Sequence, residues 1–382
     1  MSVVPRILPP VHGGQLHQIA ARYGIPAERL LDFSANINPA GPPPSVLTAI
    51  RRALAEPSTL TMYPDLELVE LKQAIARYTG IQSENIAVAN GFVPLLEAAL
   101  RSLKIKRCLL PVPSFREYRN TLENAGVFVT PYHLSPNDNF RYADAIRGAL
   151  LEHSCDAILL ANPQNPSGAI CDIDNMQRLV GMAAQYSVTV LLDEAFIDYC
   201  PARSVARWSI EQRNAIVFRS VTKFFAIPGL RVAYAVGGSS NVDAMNRFIA
   251  PWPITSFASD AVCAALLDEF YAEGSRAAND RRRFWLEQEL AGLRIATYPS
   301  GANFLLLRFS GEVDAGLLWE KMIGQEHVVL RSCSNFEGLA PGHLRVAVRS
   351  EPENERLVRG LERVLSSFRP EGFTAEPKIP RE

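Results

Sequence analysis

Four polar clusters in the middle of the chain carry groups that could do chemistry. Asn162-Pro163-Gln164-Asn165-Pro166-Ser167-Gly168 offers side-chain amides, and Asp193-Glu194-Ala195-Phe196 offers carboxylates. Arg219-Ser220-Val221-Thr222-Lys223 offers two hydroxyls and an amine, and Arg231, beyond the Pro228-Gly229 turn, adds a guanidinium. A lysine amine is a nucleophile when its surroundings keep it neutral. Hydroxyls and a guanidinium hold a phosphate or carboxylate through charge-assisted hydrogen bonds. Taken singly, each cluster has an ordinary reading. A lysine after Ser or Thr is a solvated surface residue, an N-P-x-G stretch is a turn, and an aspartate ending a strand is a helix cap. Their joint order and spacing is a different matter.

Three of the four clusters directly follow a short apolar run. Strands are predicted at Cys108 to Val112, Val127 to Tyr132, Ala157 to Ala161, Val188 to Leu192, Ala215 to Phe218 and Val232 to Val236. Helical spacing of apolar residues appears at Leu66 to Tyr78, Val93 to Leu103 and Ile173 to Tyr186. Such alternation predicts an α/β fold, a mostly parallel sheet with helices on both faces. Ligands of such sheets bind beyond the carboxyl ends of the strands, where these clusters fall. A second lobe begins near residue 280, with strands at Asn303 to Arg308, Val328 to Arg331 and Leu344 to Val348. Ser350-Glu351-Pro352-Glu353 reads as a capping box opening a helix to about Phe368. The first 60 residues, rich in proline and glycine, read as an extended arm with short helical pieces. The division expected is 1–48 for the arm and part of a small domain, 49–279 for a large domain, 280–368 for a smaller α+β domain, and 369–382 for a loose tail.

Composition narrows the function. Thirty-nine basic against forty acidic residues leave a net charge of -1, without the basic field that a nucleic-acid binder needs. Apolar runs such as Ala157 to Ala161 fall far short of the roughly 20 residues that cross a bilayer. MSVVPRILPP has prolines where an export signal needs an apolar helical run, so a cytoplasmic location is expected. The six cysteines include no C-x-x-C pair; they read as reduced thiols, and no metal site is expected.

Together the four clusters resemble the fold-type I pyridoxal-phosphate enzymes, the aspartate-aminotransferase-like superfamily, over most of the chain. The resemblance implies a large domain with a seven-stranded, mostly parallel sheet, a smaller α+β domain, and pyridoxal 5'-phosphate as cofactor. It implies that Lys223 bonds covalently to the cofactor aldehyde and later carries a proton at the reacting carbon. Asp193 would pair with the pyridinium nitrogen and Asn165 would donate to the ring phenolate. Ser220, Thr222 and Arg231 would hold the phosphate, helped by backbone N–H groups of Gly91 and Phe92 before a helix. Phe115 stands where relatives stack an aromatic ring on the cofactor. Tyr63, in Tyr63-Pro64-Asp65, matches a tyrosine that reaches the neighbouring subunit's phosphate, which implies a homodimer with shared sites.

Within that superfamily the chain resembles the threonine-phosphate decarboxylases of cobalamin biosynthesis, near relatives of the histidinol-phosphate aminotransferases. His12-Gly13-Gly14, Leu31 to Pro39, Asp193 to Asp198, Lys223 to Arg231, Pro251-Trp252-Pro253, Leu330 to Asn335 and Leu344 to Ser350 carry the similarity. Phe196 stands where the aminotransferases usually have Tyr. The implied reaction is decarboxylation of O-phospho-L-threonine to (R)-1-aminopropan-2-yl phosphate; the alternative is transamination of histidinol phosphate or a related amino acid with 2-oxoglutarate. A phosphorylated amino acid calls for several cations, and Arg331, Arg345 and His12 fit that need, with Asn36 a neutral donor. Arg349 reads as a surface ion pair and His17 as a helix surface residue. Two departures stand out. Phe92, Val93 and Pro94 follow Gly91 where hydroxyl and acidic residues are common, and Ser256-Phe257 replaces an expected Asn. A non-catalytic regulator on this fold is not expected: such regulators carry an added DNA-binding domain, for which no basic segment is seen, and Lys223, Asp193 and Arg231 occur together.

Overall fold

The computed structural model describes residues 9–10, 12–142, 145–311 and 313–368. The tail expected at 369–382 lies outside the described residues.

A seven-stranded sheet forms the larger lobe. Its order is Ile86–Ala89, Ala233–Gly237, Ala215–Ser220, Thr189–Asp193, Ala157–Ala161, Arg107–Val112 and Phe128–His133. Only Ala233–Gly237 runs against its neighbours. Side chains alternate between faces with a period of two, so the central strands feed two cores. Ile158, Leu160, Val190, Leu192 and Val217 enter one, and Leu159, Leu191, Ile216 and Phe218 enter the other. Six strands fall within a residue or two of the predicted runs. Ile86–Ala89 does not appear among those runs, because four apolar residues between two helices are too short to read as a strand on periodicity. The helix predicted from Leu66 begins at Val69 instead. Asp65 accepts from the Glu67 N–H at 3.0 Å and the Val69 N–H at 2.7 Å, and Leu68 at the helix N-cap takes a left-handed φ of 53°, so residues 66–68 stay outside the helix.

The smaller lobe is built on Phe304–Arg308, antiparallel to His343–Ala347 and Ala296–Thr297. The predicted strand Val328 to Arg331 is in fact two. Val328–Val329 pairs in parallel with Leu31–Asp32, whereas Arg331–Ser332 crosses to pair with His343–Ala347. That switch sets Arg331 directly opposite Arg345. Ile19, Leu30 and Phe33 share a core with Leu305, Leu307, Trp319 and Leu357, so the N-terminal segment packs as part of this lobe. The change of core near residue 280 happens inside one 24-residue helix, Glu269–Gly292, and not in a linker: Ala272 lies in the large core, Leu286 and Leu290 in the small one. The last helix, Glu351–Ser366, opens on the capping box, with the Ser350 N–H donating to Glu353 at 3.1 Å. Arg349 pairs with Glu353 at 2.7 Å, and His17 is exposed on the Leu16–Tyr23 helix.

Candidate active site

Three adjacent strands end at one cleft. Ala157–Ala161 leads to the loop holding Asn165, Thr189–Asp193 ends on Asp193, and Ala215–Ser220 leads into the turn holding Thr222 and Lys223. The Lys223 amine donates to Thr222 Oγ1 at 2.8 Å, and Thr222 Oγ1 lies 2.8 Å from Ser220 Oγ. Burial, and after it the Arg231 cation, lowers the Lys223 pKa to about 8 against an opposing pull from Asp193. A neutral amine is therefore accessible near neutral pH.

Asp193 is 7% exposed, and burial pushes its pKa up. Tyr118, Ala195 and Lys223 oppose that shift. The Tyr118 hydroxyl donates to Asp193 Oδ2 at 2.5 Å, and the Ala195 N–H to Oδ1 at 2.8 Å. Phe115 precedes the helix that carries Tyr118, the two rings 5.5 Å apart and edge-on.

An anion cradle lies beside the lysine. Gly91, at φ +97°, caps the helix Phe92–Ser102, whose first N–H groups have no intrahelical partner. Pro94 removes one of those donors and Phe92 and Val93 bring no hydroxyl, which leaves Ser220, Thr222 and Arg231 as the candidate side-chain donors expected from the sequence. A Cβ on Gly91 would stand 2.8 Å from the Arg231 guanidinium. Gly91→Ala would therefore strain the positive-φ turn that opens the helix and displace Arg231. We expect the variant to fold but bind pyridoxal phosphate about tenfold or more weakly, as read by absorbance titration of the apo protein; unchanged affinity would remove Arg231 from the cradle.

Across the cleft stand the cations of the small lobe. Arg345 is 6% exposed; it donates to Asn165 Oδ1 at 2.6 Å and the Ser34 carbonyl at 3.2 Å, over the Phe304 ring at 5.1 Å. The bond to Asn165 occupies its carbonyl oxygen and leaves the NH₂ end to donate elsewhere. Burial, then the adjacent Arg331, presses the Arg345 pKa down to about 9. Arg331 is also 6% exposed, and donates to the Pro10 carbonyl at 3.2 Å and to Asn335 at 2.8 Å. Asn36 is buried with no partner for its Oδ1.

The arm folds over this face. Gly13 lies against the Ser34 carbonyl, which would be 2.1 Å from any Cβ there, and the Gly14 N–H donates to Ser34 Oγ at 2.9 Å. The Asn38 N–H donates to the Lys223 carbonyl at 3.1 Å, fastening the arm to the lysine turn. His12 meets Glu117 at 3.1 Å, its ring 6.2 Å from that of Phe115. Tyr63 stands apart from these groups: 80% exposed, it stacks on Trp252 at 4.6 Å. Where an Asn was expected after Pro253, Thr255 caps the helix Ser256–Leu266.

Sequence reasoning passed over Tyr118, Ser34, Asn38 and Glu117. Tyr118 had one usable signal, its three-residue spacing from Phe115 in a helix otherwise rich in charge. Among the described residues no group of three or more His, Cys, Asp or Glu could hold a metal, and no helix is long and apolar enough to cross a membrane.

The donor set fits pyridoxal 5'-phosphate: a depressed-pKa amine, a buried carboxylate, a free amide NH₂ and a cradle of hydroxyls, guanidinium and helix N–H groups. Known proteins agree with that fit. Threonine-phosphate decarboxylase of Salmonella typhimurium is 34% identical over 94% of this chain and 98% of its own. A histidinol-phosphate aminotransferase of Stutzerimonas stutzeri is 29% identical over 95% of this chain and 96% of its own. The crystal structure of histidinol-phosphate aminotransferase from Clostridium acetobutylicum superposes with a TM-score of 0.82 at 28% identity, covering 88% of this chain and all of that one. The family model for aminotransferase class I and II matches residues 28–361. The chain belongs to the class I and II aminotransferase family of pyridoxal-phosphate enzymes.

Proposed function

We propose that the enzyme decarboxylates O-phospho-L-threonine to (R)-1-aminopropan-2-yl phosphate, supplying cobalamin biosynthesis in the cytoplasm. The observation that carries the reading is the cross-strand pair Arg331 and Arg345. Like charges directly opposite each other on a sheet destabilise it, and burying both raises that cost. A substrate bearing a carboxylate and a phosphate offsets both penalties. The similarity to a threonine-phosphate decarboxylase supports the choice among such substrates. So does Phe196, whose ring packs edge-on against Phe304 at 5.0 Å, beneath the Arg345 guanidinium.

When bound, pyridoxal phosphate supplies an electron sink for the pair left by the broken bond at the α-carbon. The chain does the rest. Asp193 holds a proton at the ring nitrogen, and Asn165 donates its NH₂ to the phenolate. Ser220, Thr222, Arg231 and the N–H groups at Gly91 and Phe92 hold the phosphate, and Phe115 covers the ring face. Arg331 and Arg345 take the substrate's two anions, with His12 and Asn36 closing over them. By fixing the orientation of the α-carbon, these anchors would choose between loss of carbon dioxide and loss of the α-proton. Lys223 then returns a proton to the α-carbon.

In the same reading the protein is a homodimer, with Tyr63 of each subunit reaching the other's phosphate cradle. The exposed Leu60, Met62, Tyr63 and Trp252 support it, because apolar residues of this size gathered on a surface mark an interaction site.

Transamination of histidinol phosphate is the second reading, favoured by the aminotransferase relatives. Incubation with phosphothreonine separates the two. Carbon dioxide and the amino phosphate ester formed without any keto acid support decarboxylation; turnover that requires 2-oxoglutarate supports transamination. Arg345→Ala should raise KM on the order of 10²-fold with a smaller change in kcat, because it removes a buried anchor of a small dianion. An unchanged KM would take Arg345 out of substrate binding.

A further inference from the structure

We propose that Tyr118 is a positioning residue that keeps Asp193 an ionised acceptor, so that the proton between Asp193 and the cofactor ring stays on the ring nitrogen. The inference rests on the assignment of Asp193 to the ring nitrogen and is independent of the substrate. No part of the resemblance assigns Tyr118 a role; the geometry does.

Asp193 and Tyr118 are 7% and 2% exposed, and the 2.5 Å bond joins them deep in the cleft. A buried carboxylate without donors takes up a proton. Asp193 has two donors here, the Ala195 N–H on one oxygen and the Tyr118 hydroxyl on the other. The remaining groups acting on it are Lys223, from the turn after Ala215–Ser220, and Tyr142, whose hydroxyl is spent on the Ala161 carbonyl at 2.7 Å. Burial, and then the charge of Asp193, raises the Tyr118 pKa well above that of a free phenol, so Tyr118 remains a neutral donor.

The phenol is also fixed in direction. Its ring meets Phe92 and Phe115, each at 5.5 Å, the second nearly perpendicular. Phe92 opens the helix of the phosphate cradle, and Phe115 is the ring-face candidate. One side chain thus braces three cofactor contacts while drawing charge from one oxygen of Asp193. A carboxylate that shares charge with a phenol is a weaker base, and the proton it faces stays with the pyridine nitrogen. Without the hydroxyl, Asp193 becomes more basic and competes for that proton.

The test uses the full chain with pyridoxal phosphate and reads cofactor affinity and the pH titration of bound-cofactor absorbance. It compares the parent, Tyr118→Phe, Asp193→Asn and the double variant. Tyr118→Phe should weaken cofactor binding about tenfold, the worth of one charge-assisted hydrogen bond. Its absorbance midpoint should rise, because a ring nitrogen with less positive charge repels less strongly the proton at the Lys223 linkage. In the Asp193→Asn background the same change should cost less than about threefold. Fluorotyrosine at 118 keeps the ring and strengthens the donor, so its midpoint should fall below the parent's; it also carries the test if Tyr118→Phe fails to fold. An equal loss in both backgrounds, or midpoints that do not move in opposite directions, would overturn the proposal. If Asp193→Asn leaves both affinity and titration at parent values, the assignment of Asp193 itself is what fails.

Discussion

Lys223→Ala is expected to lower turnover by roughly 10⁴-fold or more. Proton transfer by one positioned group contributes about 10²–10⁴-fold, and Lys223 is assigned both that step and the covalent hold on the cofactor. Two of its described neighbours are unsuited to take its place. Arg231 is a guanidinium, too weakly acidic to give up its proton, and the Tyr118 hydroxyl is committed to Asp193. The alanine variant should still bind pyridoxal phosphate, since Ser220, Thr222, Arg231 and the helix N-terminus remain. Its absorbance should be that of the free aldehyde. The pH dependence has a definite sign. With the amine pKa lowered to about 8, the fraction able to attack an aldehyde rises with pH through that value. Capture of cofactor by the apo protein should therefore accelerate through pH 8 and level off above it. An acceleration centred near 10 would mean an exposed, ordinary lysine.

Asp193→Asn should lower turnover by roughly 10²–10³-fold, the scale seen when one preorganised electrostatic contact is lost from a reacting centre. An amide of the same shape keeps the packing around Tyr118 and the Ala195 N–H but removes the charge proposed to hold a proton on the ring nitrogen. The loss should fall mainly on kcat, because in the proposed function the substrate's anions are held elsewhere, by Arg331 and Arg345. Single-turnover rates with and without saturating substrate separate these terms. A defect confined to KM would contradict the role given to Asp193.

Much of this site was legible in the sequence, for a physical reason. In a parallel sheet, catalytic groups follow strand ends, so Asn165, Asp193 and Lys223 announce themselves by position as well as by type. The strands before them are buried on both faces and read as continuous apolar runs. What stayed hidden depends on contacts distant along the chain. Nothing local marks Tyr118 as the partner of a carboxylate 75 residues away. Nor does a sequence show that Val328 to Arg331 serves two sheets: the apolar run is continuous, and only pairing with Leu31–Asp32 on one side and His343–Ala347 on the other divides it. That division is what sets Arg331 facing Arg345. The lobe boundary was obscured by the length of Glu269–Gly292, a helix whose two ends pack into different cores.

The covalent role of Lys223 can be tested chemically. Purified protein loaded with pyridoxal phosphate is reduced with borohydride, digested, and mapped by mass spectrometry. A single pyridoxyl-modified peptide with the label on Lys223 is expected; a label on any other lysine, or none, would mean that Lys223 does not hold the cofactor.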